Sequence, residues 1–245
     1  MIDQAQANIQ QNIQNAQDLF QSKLNQIFSQ QGEGWEEKPL DEVCKIRPPK
    51  SEVDEYLNEN DLISFVPMKC LGVDEMYFKS DGLKELNKVS SSYTYFRNND
   101  VLLAKITPCF ENGKLGIAKD LENGTGFGSS EYVVFRVIEK LLKPEFLYHF
   151  LNRQIFRDNG KNVMTGAVGH KRIPKDYYQK CLIVVPNLEE QERIIELLDR
   201  FLKNRNELIQ KYKFKLSNLK ELKKSLLQKA FNGELTANRT LEEVL

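Results

Sequence analysis

Apolar side chains recur through residues 1–28 at Ile2, Ile9, Ile13, Ala16, Phe20, Leu24 and Ile27, in a stretch without proline or glycine. Steps of three and four residues, or their sum, describe the seam of a helix that packs along a partner helix. Its flanks are polar but nearly uncharged, because ten of the first 31 residues are glutamine. Gly32-Glu33-Gly34 predicts the stop, since glycine accepts the backbone conformations that end a helix.

A longer seam begins after Pro186. Asn187 stands where an N-cap is expected, and Glu189 and Glu190 fall in the first turn, where the helix dipole favours acids. The seam then runs Ile194, Leu198, Phe201, Arg205, Leu208, Tyr212, Lys215, Leu219, Leu222 and Leu226, with Arg205 and Lys215 as charged interruptions. Gly233 after Asn232 predicts its end. Leu188 to Phe231 is 44 residues, roughly 66 Å of helix at about 1.5 Å per residue. A polar helix of that length needs a partner to cover its stripe, either the N-terminal arm or a second copy of the chain. Both arms close on the same pattern, Leu-x-x-Ser-x-Leu-x-x-x-Phe, at Leu19, Ser22, Leu24, Phe28 and at Leu222, Ser225, Leu227, Phe231.

Residues 35–187 change period. Strand-like runs at 62–66, 101–106, 132–137 and 182–185 alternate with turn signals at 58–61, 111–113, 123–129 and 159–160. A helix-like segment over 144–157 gathers Phe146, Leu147, Phe150, Leu151 and Phe156 on one broad face. The expected fold class is α/β (α+β): one mixed domain of about 150 residues, a normal domain size, flanked by long coiled-coil-forming helices. The divisions are 1–31 for the N-terminal spacer helix, 35–187 for the middle domain, 188–232 for the C-terminal helix and 233–245 for a tail.

Charge and composition narrow the chemistry. Thirty-five basic residues balance 35 acidic ones, which argues against coating nucleic acid through bulk charge and leaves room for a local patch. Residues 161–180 supply one: Lys161, Lys171, Arg172, Lys175 and Lys180 against Asp176. Seven lysines against Glu221 over residues 211–229 are a second basic run, and the bland reading of either is a solvated face. No apolar run approaches the ~18 residues of a membrane span. The glutamine-rich start does not resemble a signal peptide, so a cytoplasmic protein is expected. Cys44, Cys70, Cys109 and Cys181 form no CxxC pair, and His149 and His170 have no ligand-spaced companions, so neither a disulfide framework nor a metal site is expected.

Two segments carry candidate chemistry. Residues 99–114 read as a buried strand, with Lys105 and Thr107 alternating out of it, running into a proline turn and an Asn-Gly hairpin signal ahead of Lys114. Thr107-Pro108-Cys109-Phe110 only echoes the Asn/Asp-Pro-Pro-Tyr/Phe motif of amino-methyltransferases. The polar first residue and second proline are missing, and no glycine-rich cofactor loop accompanies it. Glycines 124, 126 and 128 precede a strand, not a helix, so they form no phosphate cradle. Catalysis by this chain is therefore not expected. Thr165-Gly166-Ala167-Val168-Gly169-His170-Lys171-Arg172-Ile173-Pro174 is the best candidate for touching DNA. Small residues let the backbone approach, lysine and arginine suit phosphates, and arginine can read guanine through two hydrogen bonds. The plain alternative is a flexible surface loop.

Taken together the chain resembles the specificity subunit of type I restriction–modification systems. The resemblance is carried by Gly34-Trp35-Glu36, the 103–114 strand and hairpin, and Gly128-Ser129-Ser130-Glu131. It continues through residues 166–174, Val184-Val185-Pro186-Asn187-Leu188-Glu189-Glu190-Gln191, and Phe231-Asn232-Gly233-Glu234-Leu235. It implies a non-catalytic subunit whose target-recognition domains each read half of a bipartite DNA site. The implied long helices pair as an antiparallel coiled coil and dock modification (methyltransferase) subunits. S-adenosylmethionine is then bound by the methyltransferase and no cofactor by this chain, and an ATP-dependent restriction subunit joins the complex. Only one recognition domain is present, and the N-terminal arm resembles the latter part of a central spacer helix. A natural half-subunit and a truncated or split gene product are both compatible with that. A half-subunit is expected to homodimerise through its arms and to read a gapped palindrome.

The residues expected at DNA are Lys105, Thr107, Lys114, His170, Lys171 and Arg172. Those expected at a dimer or partner helix are Ile194, Leu198, Phe201, Leu208, Tyr212, Leu219, Leu222 and Leu226. The competing readings are a coiled-coil adaptor whose middle domain binds protein, and a stand-alone methyltransferase, which the missing cofactor loop disfavours.

Overall fold

A computed structural model describes residues 1–30, 32 and 34–233. The tail from residue 234 onward, with Glu234 and Leu235, lies outside the described residues. In chain order the elements are α1 (Ile2–Phe28), β1 (Glu36–Pro39), α2 (Leu40–Val43), β2 (Cys44–Ile46), β3 (Leu62–Val66), β4 (Leu83–Glu85) and β5 (Thr94–Arg97). There follow β6 (Val101–Ala104), β7 (Leu115–Ile117), β8 (Thr125–Gly128), β9 (Tyr132–Val137), α3 (Pro144–Leu151), α4 (Gln154–Asn162), α5 (Lys175–Gln179), β10 (Leu182–Val185) and α6 (Leu188–Phe231). The chain divides into two units, Leu24–Leu198 and the pairing of Met1–Lys23 with the helix from Asp199 onward.

The larger unit is closed by its own ends. β1 pairs antiparallel with β10, Glu36 opposite Val185 and Pro39 opposite Leu182. Two four-stranded sheets follow, in orders β2-β9-β6-β7 and β4-β3-β8-β5. The first is antiparallel throughout, and in the second β3 and β8 run parallel. Side-chain alternation sorts the faces. Leu102, Ala104, Tyr132 and Val134 enter a buried cluster with Val66, Leu71, Phe78 and Phe96, which joins the two sheets. On the opposite face α3 packs on β6 and β7, and Tyr178 of α5 meets Phe135 edge-on at 5.9 Å. Each Val, Leu or Phe side chain here that is fully removed from water is worth about 1.5–3 kcal/mol.

The predicted strands at 62–66, 132–137 and 182–185 are found as β3, β9 and β10. The run at 101–106 ends at Ala104, after which Ile106 bridges to Arg172 instead of continuing the sheet. The helix expected over 144–157 is two helices, because Arg153 adopts extended backbone (φ −69°, ψ 136°). Its guanidinium lies 4.0 Å from the Phe150 ring centroid, and Arg157 donates back to the Asn152 carbonyl at 2.8 Å. The glycines of β8 are there for closeness. A Cβ on Gly126 would stand 2.2 Å from the Phe96 ring, and one on Gly128 would stand 2.3 Å from the Val66 carbonyl oxygen.

A buried ion network pins the turn between β5 and β6. Arg136 of β9 donates from Nε and Nη2 to the two oxygens of fully buried Asp100 at 2.8 and 2.7 Å, and from Nη1 to Glu52. Asp100 also accepts the Arg97 backbone N–H at 2.8 Å. Burial opposes the charge on Arg136, but its two carboxylate partners outweigh that and hold the guanidinium well above its ordinary value.

Asn187 caps α6, its Oδ1 accepting the Glu190 N–H at 2.9 Å. Fully buried Gln191 fixes the same end, accepting from the Lys143 N–H and donating to the Leu141 and Pro186 carbonyls. In the smaller unit the helices are antiparallel, because Asp3 pairs with Lys223 while Phe20 meets Arg205. The α1 seam is as the periodicity predicts: Ile2, Ile9, Ile13 and Ala16 are half-buried, and Phe20, Leu24 and Ile27 are buried. On α6 the covered face holds Ile194, Leu198, Leu202, Arg205, Ile209, Tyr212, Leu216 and Leu219. The sequence seam and this face share the row 198, 205, 212 and 219. They differ in the second row, where Leu202 and Ile209 are covered and Phe201 and Leu208 stand out in solvent.

Candidate nucleic-acid interface

Three separate stretches of chain meet beyond the end of β6. Lys105 N–H donates to the Glu131 carbonyl at 2.9 Å, and the Lys105 carbonyl accepts the Ile173 N–H at 3.0 Å. Thr107 N–H donates to the Lys171 carbonyl at 2.9 Å. Thr165 and Arg172 exchange both backbone bonds, at 3.0 and 2.8 Å, closing the neck of the loop between them. The basic loop is therefore tied at its base, while Ala167, Val168, Gly169, His170 and Lys171 are exposed at its tip.

Two glycines shape that loop, one at its neck and one at its tip. Gly166 (φ 122°) lies in a region that L side chains rarely adopt, and a Cβ there would stand 2.9 Å from the His170 carbonyl oxygen. Gly169 (φ 79°) turns the tip in open space. Glycine alone enters such backbone without steric cost.

The polar groups converge on one carboxylate. Glu131, in the β8–β9 connection, accepts Arg172 Nε at 2.9 Å on Oε2 and Arg172 Nη2 at 2.7 Å on Oε1. Lys105 Nζ lies 3.9 Å from Oε2 and donates to the Ser130 carbonyl at 2.8 Å. The hydrogen bond from Arg172, with help from Lys105 and Arg47, holds the Glu131 carboxyl below its ordinary value. Burial, then repulsion from Arg47 and Arg172, lowers the Lys105 ammonium against the pull of Glu131. Arg47, Lys105 and Arg172 thus act on Glu131, with Lys171 exposed on the same loop, and the surface is locally positive on a chain of zero net charge.

Of the six residues expected at DNA, the fold brings Lys105, Thr107, His170, Lys171 and Arg172 together. Their roles differ. Lys105 is half-buried and spends its ammonium on Ser130, and Thr107 aims its hydroxyl at Met164 Sδ, 3.8 Å away. His170 and Lys171 are exposed, and the Arg172 side chain is 47% exposed. Lys114 sits on the hairpin after β6, and its ammonium donates to the Met68 carbonyl at 2.8 Å.

Sequence reasoning missed Glu131 and Arg47. The Gly-Ser-Ser-Glu run containing Glu131 was visible, but its ionic partner lies 41 residues away in the chain. Arg47 carries no local signal. It arrives through a left-handed backbone (φ 57°) and an N–H bond to the Val134 carbonyl at 2.8 Å.

The family model of the type I restriction modification DNA specificity domain matches residues 32–218, across this whole arrangement. The chain belongs to that family. It is 34% identical over 217 residues to the type I restriction enzyme EcoAI specificity subunit of Escherichia coli, covering 86% of this chain and 34% of that protein. The EcoEI specificity subunit of the same organism is 34% identical over 212 residues, again with 86% of this chain and 34% of the relative covered. The specificity domain here therefore spans about a third of the length of these relatives.

Solved structures show the same fold. The HsdS subunit from Thermoanaerobacter tengcongensis aligns with a TM-score of 0.60 at 22% identity, over 95% of this chain and 54% of that one. A chain from a structural study of complex assembly and conformational transition of the type I R-M system aligns with a TM-score of 0.71 at 22% identity, over 94% and 55%. The mixed α/β domain with long flanking helices is the fold class expected from the hydrophobic pattern, and it matches these structures. Among the described residues, no helix is long and apolar enough to cross a membrane.

Proposed function

We propose that this chain recognises a DNA sequence for a type I restriction–modification complex, reading a half-site through residues 35–187 without catalysing the reaction itself. One observation carries the reading: within a specificity domain, an exposed Gly-rich loop bearing His170, Lys171 and Arg172 is anchored beside Lys105 and Arg47, just beyond the end of β6. Exposed lysines on such a surface neutralise phosphates without regard to sequence, and a fixed arginine fork supplies base discrimination.

The helices provide the assembly surface. Phe201, Leu208 and Leu222 are 37%, 41% and 49% exposed and share one heptad row on α6, interrupted by Lys215, beside the face that α1 covers. A heptad row left in water beside a covered row supports docking of a further helix. Modification subunits, which would bring S-adenosylmethionine, and a second copy of the chain are the partners of this reading. A restriction subunit completes the complex.

Selection of randomised duplexes by the full chain assembled with its modification subunit tests the proposal. Recovery of one recurring motif supports it. Recovery of no motif, with binding to protein partners intact, would favour a coiled-coil adaptor. Sedimentation at tens of micromolar, with and without the modification subunit, tests self-association: monomer under both conditions contradicts it.

A further inference from the structure

Arginine carries five N–H groups in one plane. In Arg172 three of them have partners: Nε–H and one Nη2–H on the two oxygens of Glu131 at 2.9 and 2.7 Å, and one Nη1–H on the His170 carbonyl at 3.2 Å. One N–H remains on each terminal nitrogen. With its side edge occupied by the carboxylate, one N–H on Nη1 and one on Nη2 stay available to a second pair of acceptors.

We propose that Glu131 is a positioning residue for sequence reading, holding Arg172 side-on so that its Nη1 and Nη2 fork meets the O6 and N7 of one guanine in the major groove. This rests on the DNA-recognition reading above. The choice of a base over a phosphate follows from geometry: Glu131 holds Arg172 side-on and offsets its charge, while the positive surroundings supplied by Lys105 and Arg47 favour phosphate for any lysine free to reach it. A guanine edge offers two acceptors and no net charge, and arginine on O6 and N7 is the commonest specific contact of this kind. Phosphate contact then falls to Lys171, exposed at the same loop and not in the Glu131 pair.

Glu131 is itself well fixed. Its backbone N–H donates to Ser129 Oγ at 3.2 Å, its carbonyl accepts the Lys105 N–H at 2.9 Å, and its side chain is 22% exposed. A planar fork fixed before binding surrenders less freedom on contact, which sharpens discrimination without adding a contact.

The test compares wild type, E131Q, R172K and the double variant, each as the full chain with its modification subunit, by duplex selection and by the salt dependence of binding. The expected result is loss of about tenfold in preference for G at one and the same position in both single variants. The double variant loses no more than either, and the dependence of binding on salt is unchanged. R172K keeps the charge and removes the fork, so it reports on the same position even if E131Q folds poorly. Retention of the G preference in E131Q, or a uniform loss over all positions with a shallower salt slope, overturns the proposal. Absence of any base preference in the wild type overturns the DNA-recognition reading as well.

Discussion

The guanidinium of Arg205 lies over the ring of Phe20, with Cζ 4.6 Å from the ring centroid. A charge inside an apolar heptad row looks like an interruption in the sequence. In the folded pair it covers the most buried aromatic of α1, leaving Phe20 2% and Arg205 7% exposed. Long cationic side chains can cover apolar surface in this way while gaining a cation–π contact.

That contact predicts a hierarchy for the helical pair. Phe20→Ala should destabilise it by about 3 kcal/mol, the usual cost of emptying a buried aromatic site. Arg205→Ala should cost about 1–2 kcal/mol, from the lost cation–π contact and cover. Denaturant titration of the single and double variants should give a non-additive cycle. Additive losses would mean that the two side chains do not stabilise each other.

Arg136 should be the most sensitive polar position of the larger unit. It satisfies both oxygens of fully buried Asp100 and one of Glu52. Arg136→Met would leave Asp100 without its main partner, at a cost of about 3–5 kcal/mol. Replacing Arg136 and Asp100 together by apolar residues of similar volume should restore much of that. Thermal melting distinguishes the two outcomes.

Glu131 predicts a feature of the acid limb of stability. Its folded carboxyl is held below the ordinary value of 4.5, first by Arg172. A depressed carboxylate contributes stability above its unfolded pKa and loses it as pH falls through the lower folded one. Glu52 has the same sign: burial opposes the shift, and Lys45 and Arg136 outweigh it. Glu131→Gln should therefore flatten the decline below about pH 4.5 relative to wild type, when stability is measured by denaturant titration across pH.

Lys114 and Lys171 should behave oppositely. Lys114 serves the fold through the Met68 carbonyl, so Lys114→Ala should lower the melting temperature and leave the salt dependence of DNA binding in place. Lys171 is exposed at the loop tip. Lys171→Ala should leave stability unchanged and reduce the slope of log affinity against log salt by about 1. Binding isotherms at several salt concentrations, alongside melting curves, check both.

What the sequence made legible was local. Helical period and caps placed α1 and α6, and alternating or continuous apolar runs placed β3, β9 and β10. Short strands such as β7 (Leu115–Ile117) and β8 (Thr125–Gly128) were not legible. Their pairing is set by partners far along the chain, and glycines at Gly126 and Gly128 serve close packing in place of side-chain pattern. The row choice on α6 was illegible for a related reason. Apolar residues stand at both 201 and 202, and at both 208 and 209, so period alone does not say which row α1 covers. The basic loop could be found, but its anchoring could not, because Glu131 and Arg172 meet only once the sheet is assembled.

The central claim is that the surface around the basic loop reads DNA. Its most direct measurement is the affinity of the full chain, with its modification subunit, for its selected duplex and for random duplex, in wild type and in Lys171→Ala/Arg172→Ala. The account predicts that the wild type prefers the selected duplex and that the double variant loses most of that preference while keeping its fold and its modification subunit. Undiminished preference in the double variant would contradict it.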